Sequence, residues 1–320
     1  VADIAVLYPI GSIMADCHFG SEKTISDYQE IGERLTRRIR RDFTFMHPEV
    51  LAETCTIDPV TRSIVLDNPV NHEHYRVLIL PGRSLSRTVP VAALRQAQRF
   101  FAQGGTVICT SMLPLRAAES GGDAEVKRLV EEIFGLDPSG SVPGYTKHTN
   151  AAFGAAYFIP DVDESVDGID RLTAALDEAV VIADVRFEEM PALAGPGEVS
   201  YIHKVISGNE CYFFANSSDS QVSFWVRLRG RIVPSAWNPH SGDIRAIDHE
   251  HLAEAMGSVT RIKIAIRPSR ATTLPQATRH ISVKMPSREK RPIVAPMMKT
   301  AIGTEHRPSI SIIVWTTPGM

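Results

Sequence analysis

The stretch that decides the fold is Tyr75-Arg-Val-Leu-Ile-Leu-Pro-Gly82, followed by a helical pattern and then by Gly105-Thr-Val-Ile-Cys-Thr-Ser111. Each apolar run is short and continuous, which is the pattern of a strand covered on both faces of a parallel sheet. Between the two runs, Leu94, Ala97 and Phe101 recur at helical spacing. A strand, a helix and a strand at this spacing predict a βαβ unit, whose crossover is right-handed.

Similar patterns flank this unit on both sides. Ile4-Ala-Val-Leu-Tyr-Pro9 is typical of another buried strand, and apolar residues in 28–39 recur at the spacing of an amphipathic helix. A further helix is predicted from Asp123 to the glycine at position 135. We therefore predict an α/β domain over residues 1–150, with a flavodoxin-like parallel sheet that helices cover on both faces.

The pattern of the sequence changes beyond this domain. A helical connector is predicted over residues 151–198, followed by an antiparallel, sandwich-like β segment over residues 199–273. Apolar and polar residues alternate over 222–228, as in a half-buried strand, and Arg229-Gly-Arg231 predicts a hairpin turn. Residues 274–320 lack periodicity and are expected to form a basic, irregular tail without a core of its own.

Charge is distributed unevenly along the chain, although the formal net charge is only −3. From Arg261 onward, eleven Lys and Arg residues accompany two acids, Glu289 and Glu305, so the remainder of the chain is acidic. The basic segment contains a single aromatic residue, Trp315. Because stacking on bases needs aromatic side chains, we do not expect a nucleic-acid partner.

The composition excludes a membrane-spanning chain and leaves the compartment open. No apolar run approaches the roughly 20 residues that cross a bilayer. No signal peptide is visible before the first strand, and we expect the chain to begin inside a longer protein. The compartment stays open, and one alternative is that the parent protein is periplasmic or secreted. The cysteines are too far apart in the sequence for the spacing of a metal site. The sequence leaves two states of the cysteines open, buried free thiols and two disulfides. They are Cys17, Cys55, Cys109 and Cys211.

Polar residues that follow the predicted strands are the candidates for a binding site, because a doubly wound sheet binds its ligand beyond the carboxyl ends of its strands. Tyr8, Ser12, Asp16 and His18 follow the first strand, Arg83 and Ser84 follow the second, and Ser111 follows the third. We assign Tyr8, Asp16, His18, Arg83, Ser84 and Ser111 as candidate substrate-binding residues.

No catalytic residue, cofactor site or metal site is predicted. A serine nucleophile needs a sharp elbow flanked by glycines, and Ser111 has no such neighbours, while Cys109 is expected to face the core. The acidic stretch 161–170 lacks the closing glutamate of an EF-hand. His72 and His74 flank Glu73 just before a predicted strand, but alternating positions point to opposite faces, so we expect them to be solvent-exposed neighbours.

Seven separate motifs occur in the order found in a known family. They are Tyr75-Arg-Val-Leu-Ile-Leu-Pro-Gly82, Phe100-Phe-Ala-Gln-Gly-Gly-Thr-Val-Ile108, Leu113-Pro-Leu-Arg-Ala-Ala-Glu-Ser-Gly-Gly-Asp123, the stretch 126–135, His203-Lys-Val205, Tyr212-Phe-Phe-Ala-Asn-Ser-Ser-Asp219 and Trp237-Asn-Pro-His-Ser-Gly-Asp-Ile244. Over residues 1 to 270 they resemble the region that follows the catalytic barrel in bacterial α-L-rhamnosidases of glycoside hydrolase family 106.

The resemblance implies a glutamine-amidotransferase-like α/β domain, similar to the trimerisation domain of some β-galactosidases, followed by β-sandwich material. In that family the catalytic carboxylates belong to a barrel, which the resemblance places before Val1. It therefore implies a non-catalytic accessory fragment whose partners are that barrel and rhamnose-containing glycans, with a homo-oligomer left open. The likeness ends near Thr273, where a shifted reading frame or a truncated gene would explain the basic tail.

Two alternatives remain open at this point. One is a carbohydrate-binding module in which Trp225 or Trp237 stacks on a sugar ring. The other is a hydrolase or amidotransferase that uses the amidotransferase-like fold itself. The absence of a glycine-flanked elbow disfavours the enzyme, and the lack of a clustered aromatic platform disfavours the binding module.

Overall fold

The computed structural model describes residues 1–17, 27–141, 144–160, 166–191, 199–206, 208–218, 220–238, 241–266 and 310–318. The strands are β1 Ile4–Leu7, β2 Phe43–Met46, β3 Thr56–Asp58, β4 Ser63–Asp67, β5 His72–Tyr75, β6 Val77–Pro81, β7 Thr88–Val89, β8 Thr106–Thr110, β9 Arg116–Ala117, β10 Thr146–Thr149, β11 Ala155–Ile159, β12 Val185–Glu188, β13 Val199–Ile206, β14 Asn209–Asn216, β15 Val222–Arg229, β16 Ile232–Trp237, β17 Ile244–Ala246, β18 His249–Glu254, β19 Gly257–Ile266 and β20 Ile310–Pro318. The helices are α1 Ile10–Cys17, α2 Tyr28–Glu33, α3 Val91–Ala102, α4 Asp123–Phe134 and α5 Val166–Ala179.

The central sheet has six strands in the order β10-β11-β8-β6-β1-β2. All neighbouring pairs are parallel except β10 with β11, so five strands run in one direction. Numbered along the chain, these five strands lie in the order 2-1-3-4-5, which is one of the two common doubly wound orders. The order reverses between β1 and β6, and this is where such a sheet opens a crevice.

Helices cover both faces of the sheet, as the continuous apolar strands predict. Every residue of β1 and β8 is buried. Residues of α3 and α4, such as Phe100 and Val130, form the core on one face. Residues of α2 and α5, such as Ile31 and Leu172, form the core on the other face. The predicted α/β arrangement is thus confirmed at the level of a doubly covered sheet.

The ends of the helices follow local sequence signals. Helix α3 begins directly after Pro90, whose ring cannot donate a backbone hydrogen bond and suits a helix start. Helix α4 ends at Gly135, which has a φ of 67° in the left-handed region. The predicted helix over 28–39 is α2 continued by π-helical turns, Arg34–Ile39, and it ends at Arg40 with a φ of 57°.

Part of the segment predicted as a connector belongs to the α/β layer. Strand β11 lies within the sheet between β10 and β8, and α5 packs on the sheet through Leu172 and Leu176. The reason is burial, since Tyr157, Phe158 and Ile159 of β11 are each at most 1% exposed. An apolar run of this kind is more stable between two strands than in a surface connector.

The β segment consists of two sheets that share one core. Their orders are β12-β15-β19-β18 and β13-β14-β20-β16-β17. Phe224 and Ile264 of the first sheet pack in the same cluster as Phe214 and Ile232 of the second. Residues along β15 alternate between buried and less buried positions, which confirms the predicted half-buried strand. Two smaller sheets, β3-β4-β5 and β7-β9, flank the α/β layer.

The predicted hairpin at Arg229-Gly-Arg231 is wrong. Strand β15 pairs with β12 on one edge and β19 on the other, so no edge remains for β16. The chain instead crosses from one sheet to the other at Gly230, whose φ is 93° and whose amide donates to Ser258. After the crossing, the amide of Ile232 donates to Thr260 Oγ1 at 3.0 Å.

The predicted irregular tail contains a strand. The backbone of β20 pairs with β14 on one side and β16 on the other, and Val314 is fully buried in the shared core. Val314 thereby joins the core that the two sheets share, in a run for which the sequence predicts no core of its own. The stretch 267–309 lies outside the described residues.

A buried ionic network joins the α/β layer to the β segment. Arg229 Nη1 donates to both carboxylate oxygens of Asp3 at 2.9 Å. The Nδ1 atom of His203 lies 2.9 Å from Asp184 Oδ1, and its Nε2 lies 2.6 Å from Glu210 Oε2. Because His203 is only 3% exposed, these contacts form in a region of low dielectric, where losing one partner is costly.

None of the helices within the described residues is long and apolar enough to cross a membrane.

Candidate functional site

The candidate site lies at the carboxyl edge of the parallel sheet, beside the point where the strand order reverses. Strands β1, β6 and β8 end at Leu7, Pro81 and Thr110. The segments that follow these strands carry the candidate residues predicted from the sequence. Of those residues, His18 lies outside the described part of the chain.

Asp16 and Ser84 come together, as their positions after neighbouring strands predict. The Ser84 hydroxyl donates to Asp16 Oδ2 at 3.0 Å, and the amide of Ser86 donates to Oδ1 at 2.8 Å. The amide of Leu85 also donates to Oδ2, at 3.2 Å. Asp16 is 2% exposed and Ser84 is 4% exposed. The carboxylate is therefore occupied by the loop after β6, which it holds in place.

Arg83 and Ser111 come together around Asp27, a residue that the sequence analysis missed. Thr110 Oγ1 donates to Asp27 Oδ2 at 2.7 Å, and Ser111 Oγ donates to the same oxygen at 2.8 Å. The amide of Arg83 donates to Oδ1 at 3.1 Å. Asp27 precedes α2 but makes no side-chain cap there. An acidic residue at a helix start is visible in the sequence, but it normally indicates a helix cap and not a binding site.

Burial dominates the protonation of Asp27. Its side chain is fully buried, and loss of solvation raises the pKa of this carboxyl above its usual range. The hydrogen bonds from Thr110, Ser111 and Arg83 act in the opposite direction without cancelling the effect. The site thus contains a desolvated acid in contact with a serine hydroxyl.

Ser111 lies at a tight turn, named the Ser111 elbow below, in which the amide of Met112 donates to the carbonyl oxygen of Thr110 at 2.7 Å. The φ of Ser111 is 60°, in the left-handed region, directly after buried strand β8. The glycine that makes room lies on the neighbouring loop, because a Cβ on Gly82 would lie 2.2 Å from the carbonyl oxygen of Thr110 and 1.9 Å from that of Met112. A positive φ at Ser111 therefore did not require a glycine beside it. Cys109 faces the core, as predicted, and is fully buried.

Tyr8 belongs to a different cluster from the two acids. Its ring packs edge-on against Tyr28 at a centroid distance of 5.3 Å, and against Phe45 at 6.4 Å. Arg83 Nη2 lies 3.1 Å from Glu30 Oε1. These contacts hold α2 against the carboxyl edge, so both side chains have a positioning role there.

The enclosed space beside these residues is small. A cavity of about 30 Å³ lies among Tyr8, Ser12, Gly82 and Arg87. A water molecule needs roughly 10–15 Å³ measured in this way, so the cavity has room for about two waters. Ser12 donates to the carbonyl oxygen of Thr88 at 2.6 Å, which occupies its hydroxyl.

The remaining sequence candidates show no shared site. Within the described residues, no group of three or more His, Cys, Asp or Glu side chains is placed to hold a metal ion. The guanidinium of Arg261 lies 4.1 Å from the ring centroid of Trp225, so this ring is covered on one face. Trp237 remains 36% exposed. All four cysteines are free thiols, which removes the disulfide alternative.

Comparison with known proteins gives the fold relationship. No family model matches the sequence, and no curated protein matches it. The rhamnosidase from Novosphingobium sp. PP1Y aligns with 87% of this chain and 24% of its own, at 16% identity and a TM-score of 0.51. The β-galactosidase from Bacillus circulans sp. alkalophilus aligns with 82% of this chain and 41% of its own, at 13% identity and a TM-score of 0.50.

The chain therefore has the fold of a part of certain glycoside hydrolases. It spans about a quarter of the rhamnosidase and about two fifths of the β-galactosidase. At this level of identity the likeness concerns fold alone.

Proposed function

We propose that this chain is a non-catalytic accessory part of an α-L-rhamnosidase-like glycoside hydrolase of family 106. In this proposal the α/β layer is amidotransferase-like, and it supports or borders a sugar site formed by a catalytic barrel outside the chain. The fold relationship to a rhamnosidase and a β-galactosidase supports this function. The motif resemblance in residues 1 to 270 favours the rhamnosidase among the two.

The observation that carries the proposal is that Asp16 and Asp27, at the carboxyl edge, already accept hydrogen bonds from the protein itself. Glycosidic cleavage needs two carboxyl groups that face the bond roughly 5 to 10 Å apart, one of them able to give a proton to the leaving oxygen. Asp16 and Asp27 are buried and accept hydrogen bonds from Ser86 after β6 and from Ser111 after β8. Acids bound in this way stabilise the edge rather than meet a substrate.

The partners follow from the same proposal. They are the catalytic barrel of the parent enzyme and rhamnose-containing glycans bound there, and a second copy of the chain would be added if the parent is an oligomer. Neither a nucleic acid nor a membrane is part of the proposal.

A second candidate function is favoured by one specific observation. Ser111 has a φ of 60° directly after a buried strand, and its hydroxyl contacts the Asp27 carboxyl. A serine next to an acid that accepts its proton is a minimal arrangement for a hydrolase. The cavity of about 30 Å³ beside the edge opposes this function, because it leaves little room for a substrate.

Two measurements separate these functions. We expect the purified chain to hydrolyse neither aryl α-L-rhamnosides nor glutamine, and to resist labelling by a fluorophosphonate probe. Labelling that disappears in Ser111→Ala would establish the second candidate and overturn the first. Native mass spectrometry of the protein isolated from its source tests the accessory role directly. We expect a catalytic polypeptide bound to this chain or continuous with it, and an active protein of only this mass would refute the proposal.

A further inference from the structure

A wide cleft lies at the opposite edge of the sheet from the candidate site. It has a volume of about 690 Å³ and is bordered by the starts of β8 and β11 at Thr106 and Ala155. The β segment forms its other wall through Gly230 and Ser258. Ligand pockets usually measure roughly 300–1,000 Å³, so this cleft has the size of a ligand site.

Two strained residues meet at the rim of this cleft. Arg62 and Phe153 both line it, with φ values of 51° and 66° in the left-handed region. The Arg62 guanidinium carbon lies 5.2 Å from the centroid of the Phe153 ring. Phe153 is nevertheless 75% exposed. A bulky residue in this backbone region is an outlier, and such strain concentrates at binding sites.

Hydrogen bonds of the Asn150 side chain maintain this arrangement. The side-chain oxygen of Asn150 accepts hydrogen bonds from the amides of Ala152 at 2.9 Å and Gly154 at 2.8 Å, which shapes the turn that carries Phe153. The Asn150 side-chain nitrogen donates to the carbonyl oxygen of Phe101 at 2.7 Å. The turn is thus fixed to α3. It holds the ring of Phe153 in an exposed position, where burial contributes little to stability.

A glycine allows the loops to approach one another. Gly104 has a φ of 91°, and a Cβ at this position would lie 2.7 Å from the carbonyl oxygen of Ala152 and 3.1 Å from Cδ of Arg62. The loop after α3 therefore brings the turn of Phe153 and the loop of Arg62 together. Three segments converge to present one guanidinium and one aromatic ring.

The cleft favours an anion. Its charged lining comprises Arg62, Arg76, Arg229 and Glu178. Arg229 is paired with Asp3, and Glu178 with Lys147, so these charges are largely compensated. Within the described part of the chain, Arg62 forms no ion pair. Arg76 Nε lies 3.8 Å from Asp3 Oδ1, so Arg76 shares the acid that pairs with Arg229. Arg62 is therefore a lining cation that can receive a carboxylate or a sulfate, in the bidentate geometry of a guanidinium.

One wall also contains a hydroxyl that lacks a hydrogen bond of standard geometry among the described residues. This group is the hydroxyl of Tyr157, which lies beside Glu178 and is only 1% exposed at the level of the residue. Glu178 contacts this hydroxyl, so Tyr157 and Glu178 together form the polar part of this wall.

We propose that this cleft binds a short acidic saccharide. Its carboxylate or sulfate contacts Arg62, one pyranose ring packs its C–H face on Phe153, and the hydroxyl groups reach the polar wall near Tyr157. The saccharide class rests on the proposed function of the chain, whereas the acidic group rests on the charge of Arg62.

A nucleotide is the main competing ligand, and the position of the cleft disfavours it. Phosphates usually bind at the amino ends of helices, where backbone amides point at them. The carboxyl ends of α3 and α5 lie at this edge instead, since Gly104 follows α3 and Ala179 ends α5. The negative ends of two helix dipoles oppose a polyphosphate more strongly than a single anionic group.

Calorimetric titration of the whole chain tests the proposal. The ligands are a uronic-acid-containing disaccharide, a sulfated disaccharide, a neutral disaccharide of the same size and ATP. We expect saturable binding of at least one acidic disaccharide, with the neutral one weaker by about tenfold or more, because it lacks the charged hydrogen bond to Arg62. The two acidic ligands distinguish carboxylate from sulfate. Equal binding of the neutral disaccharide, preference for ATP or absence of binding would overturn the proposal.

Variants place the binding in the cleft. Arg62→Asn removes the charge but tolerates the left-handed backbone, and we expect it to weaken only the acidic disaccharide, by about tenfold. Phe153→Asn should weaken the acidic and neutral disaccharides alike. Arg95→Ala removes a distant exposed arginine that pairs with Glu125, and it should change neither. Circular dichroism confirms folding of each variant. Unchanged binding in Arg62→Asn would contradict the assignment even if the chain binds saccharides elsewhere or functions as an accessory domain.

Discussion

The hydroxyl of Ser111 lies 2.8 Å from Asp27 Oδ2, and the hydroxyl of Thr110 lies 2.7 Å from the same oxygen. The other carboxylate oxygen accepts the amide of Arg83 from the neighbouring loop at 3.1 Å. One buried acid thus joins the ends of β6 and β8 to the start of α2. This arrangement explains how the carboxyl edge keeps a left-handed serine without a glycine beside it.

The raised pKa of Asp27 makes stability depend on pH in a defined direction. The folded protein holds this proton more tightly than the unfolded chain, whose carboxyl has a pKa near 3.8. The contribution of Asp27 is therefore most favourable below that pH and falls as pH rises through the folded pKa. We therefore expect the free energy of unfolding of Asp27→Asn, measured in urea, to increase relative to that of the parent protein as pH rises above about 4.

A matched control removes an exposed acid. Asp67 is 68% exposed, so Asp67→Asn should follow the pH profile of the parent protein. Parallel stability profiles for Asp27→Asn and the parent protein would show that burial does not govern the protonation of Asp27.

Gly82 is expected to be the least replaceable glycine at the carboxyl edge. A Cβ there would collide with the carbonyl oxygens of Thr110 and Met112, so Gly82→Ala forces the backbone of the Ser111 elbow to move. We expect a loss of about 3 kcal/mol in the free energy of unfolding. Gly144→Ala is the control, because a Cβ at Gly144 meets nothing within 4 Å. Equal stability of the two variants would disprove the close approach.

His203 should be essential to the junction between the α/β layer and the β segment. Its ring nitrogens face Asp184 and Glu210, and removing it leaves the buried Asp184 carboxylate with Arg229 at 3.6 Å as its remaining ionic partner. We expect His203→Ala to lower the free energy of unfolding by about 3 kcal/mol in urea titrations. His72→Ala, at a 71% exposed histidine, should leave the unfolding midpoint nearly unchanged. A loss below about 1 kcal/mol for His203→Ala would contradict a buried ionic network.

The four thiols should differ sharply in reactivity. Cys17 is exposed, whereas burial raises the pKa of the Cys55 thiol to about 11 and that of Cys109 well above its usual value. Because the thiolate is the reactive form, we expect Ellman's reagent to label Cys17 rapidly and Cys211 more slowly, with the other two labelled only after denaturation. Cys17→Ser should abolish the fast phase. Fewer than four thiols after denaturation without a reductant would indicate disulfides.

The strands and helices of the α/β layer could be predicted because their signals are local. Continuous apolar runs identify β6 and β8 as doubly covered strands, and Gly135 marks the end of α4. The pairing of distant segments could not be predicted in the same way. The Arg229-Gly-Arg231 turn has hairpin chemistry, but both edges of β15 are already occupied by other strands. Likewise, the run 310–315 carries no information about which core it completes.

The sequence by itself determined that this chain has a parallel sheet covered by helices, followed by alternating β strands, since the period of the apolar residues encodes how each element is buried. Only the tertiary structure decided which polar residues meet. Asp27 reaches Ser111 across 84 residues, and Gly82 provides the space that the Ser111 elbow needs. Arg62 and Phe153 lie on separate loops and are likewise brought together only in the folded chain. Such contacts depend on the strand order and on steric fit between separate segments. The spacing of neighbouring residues predicts neither of them.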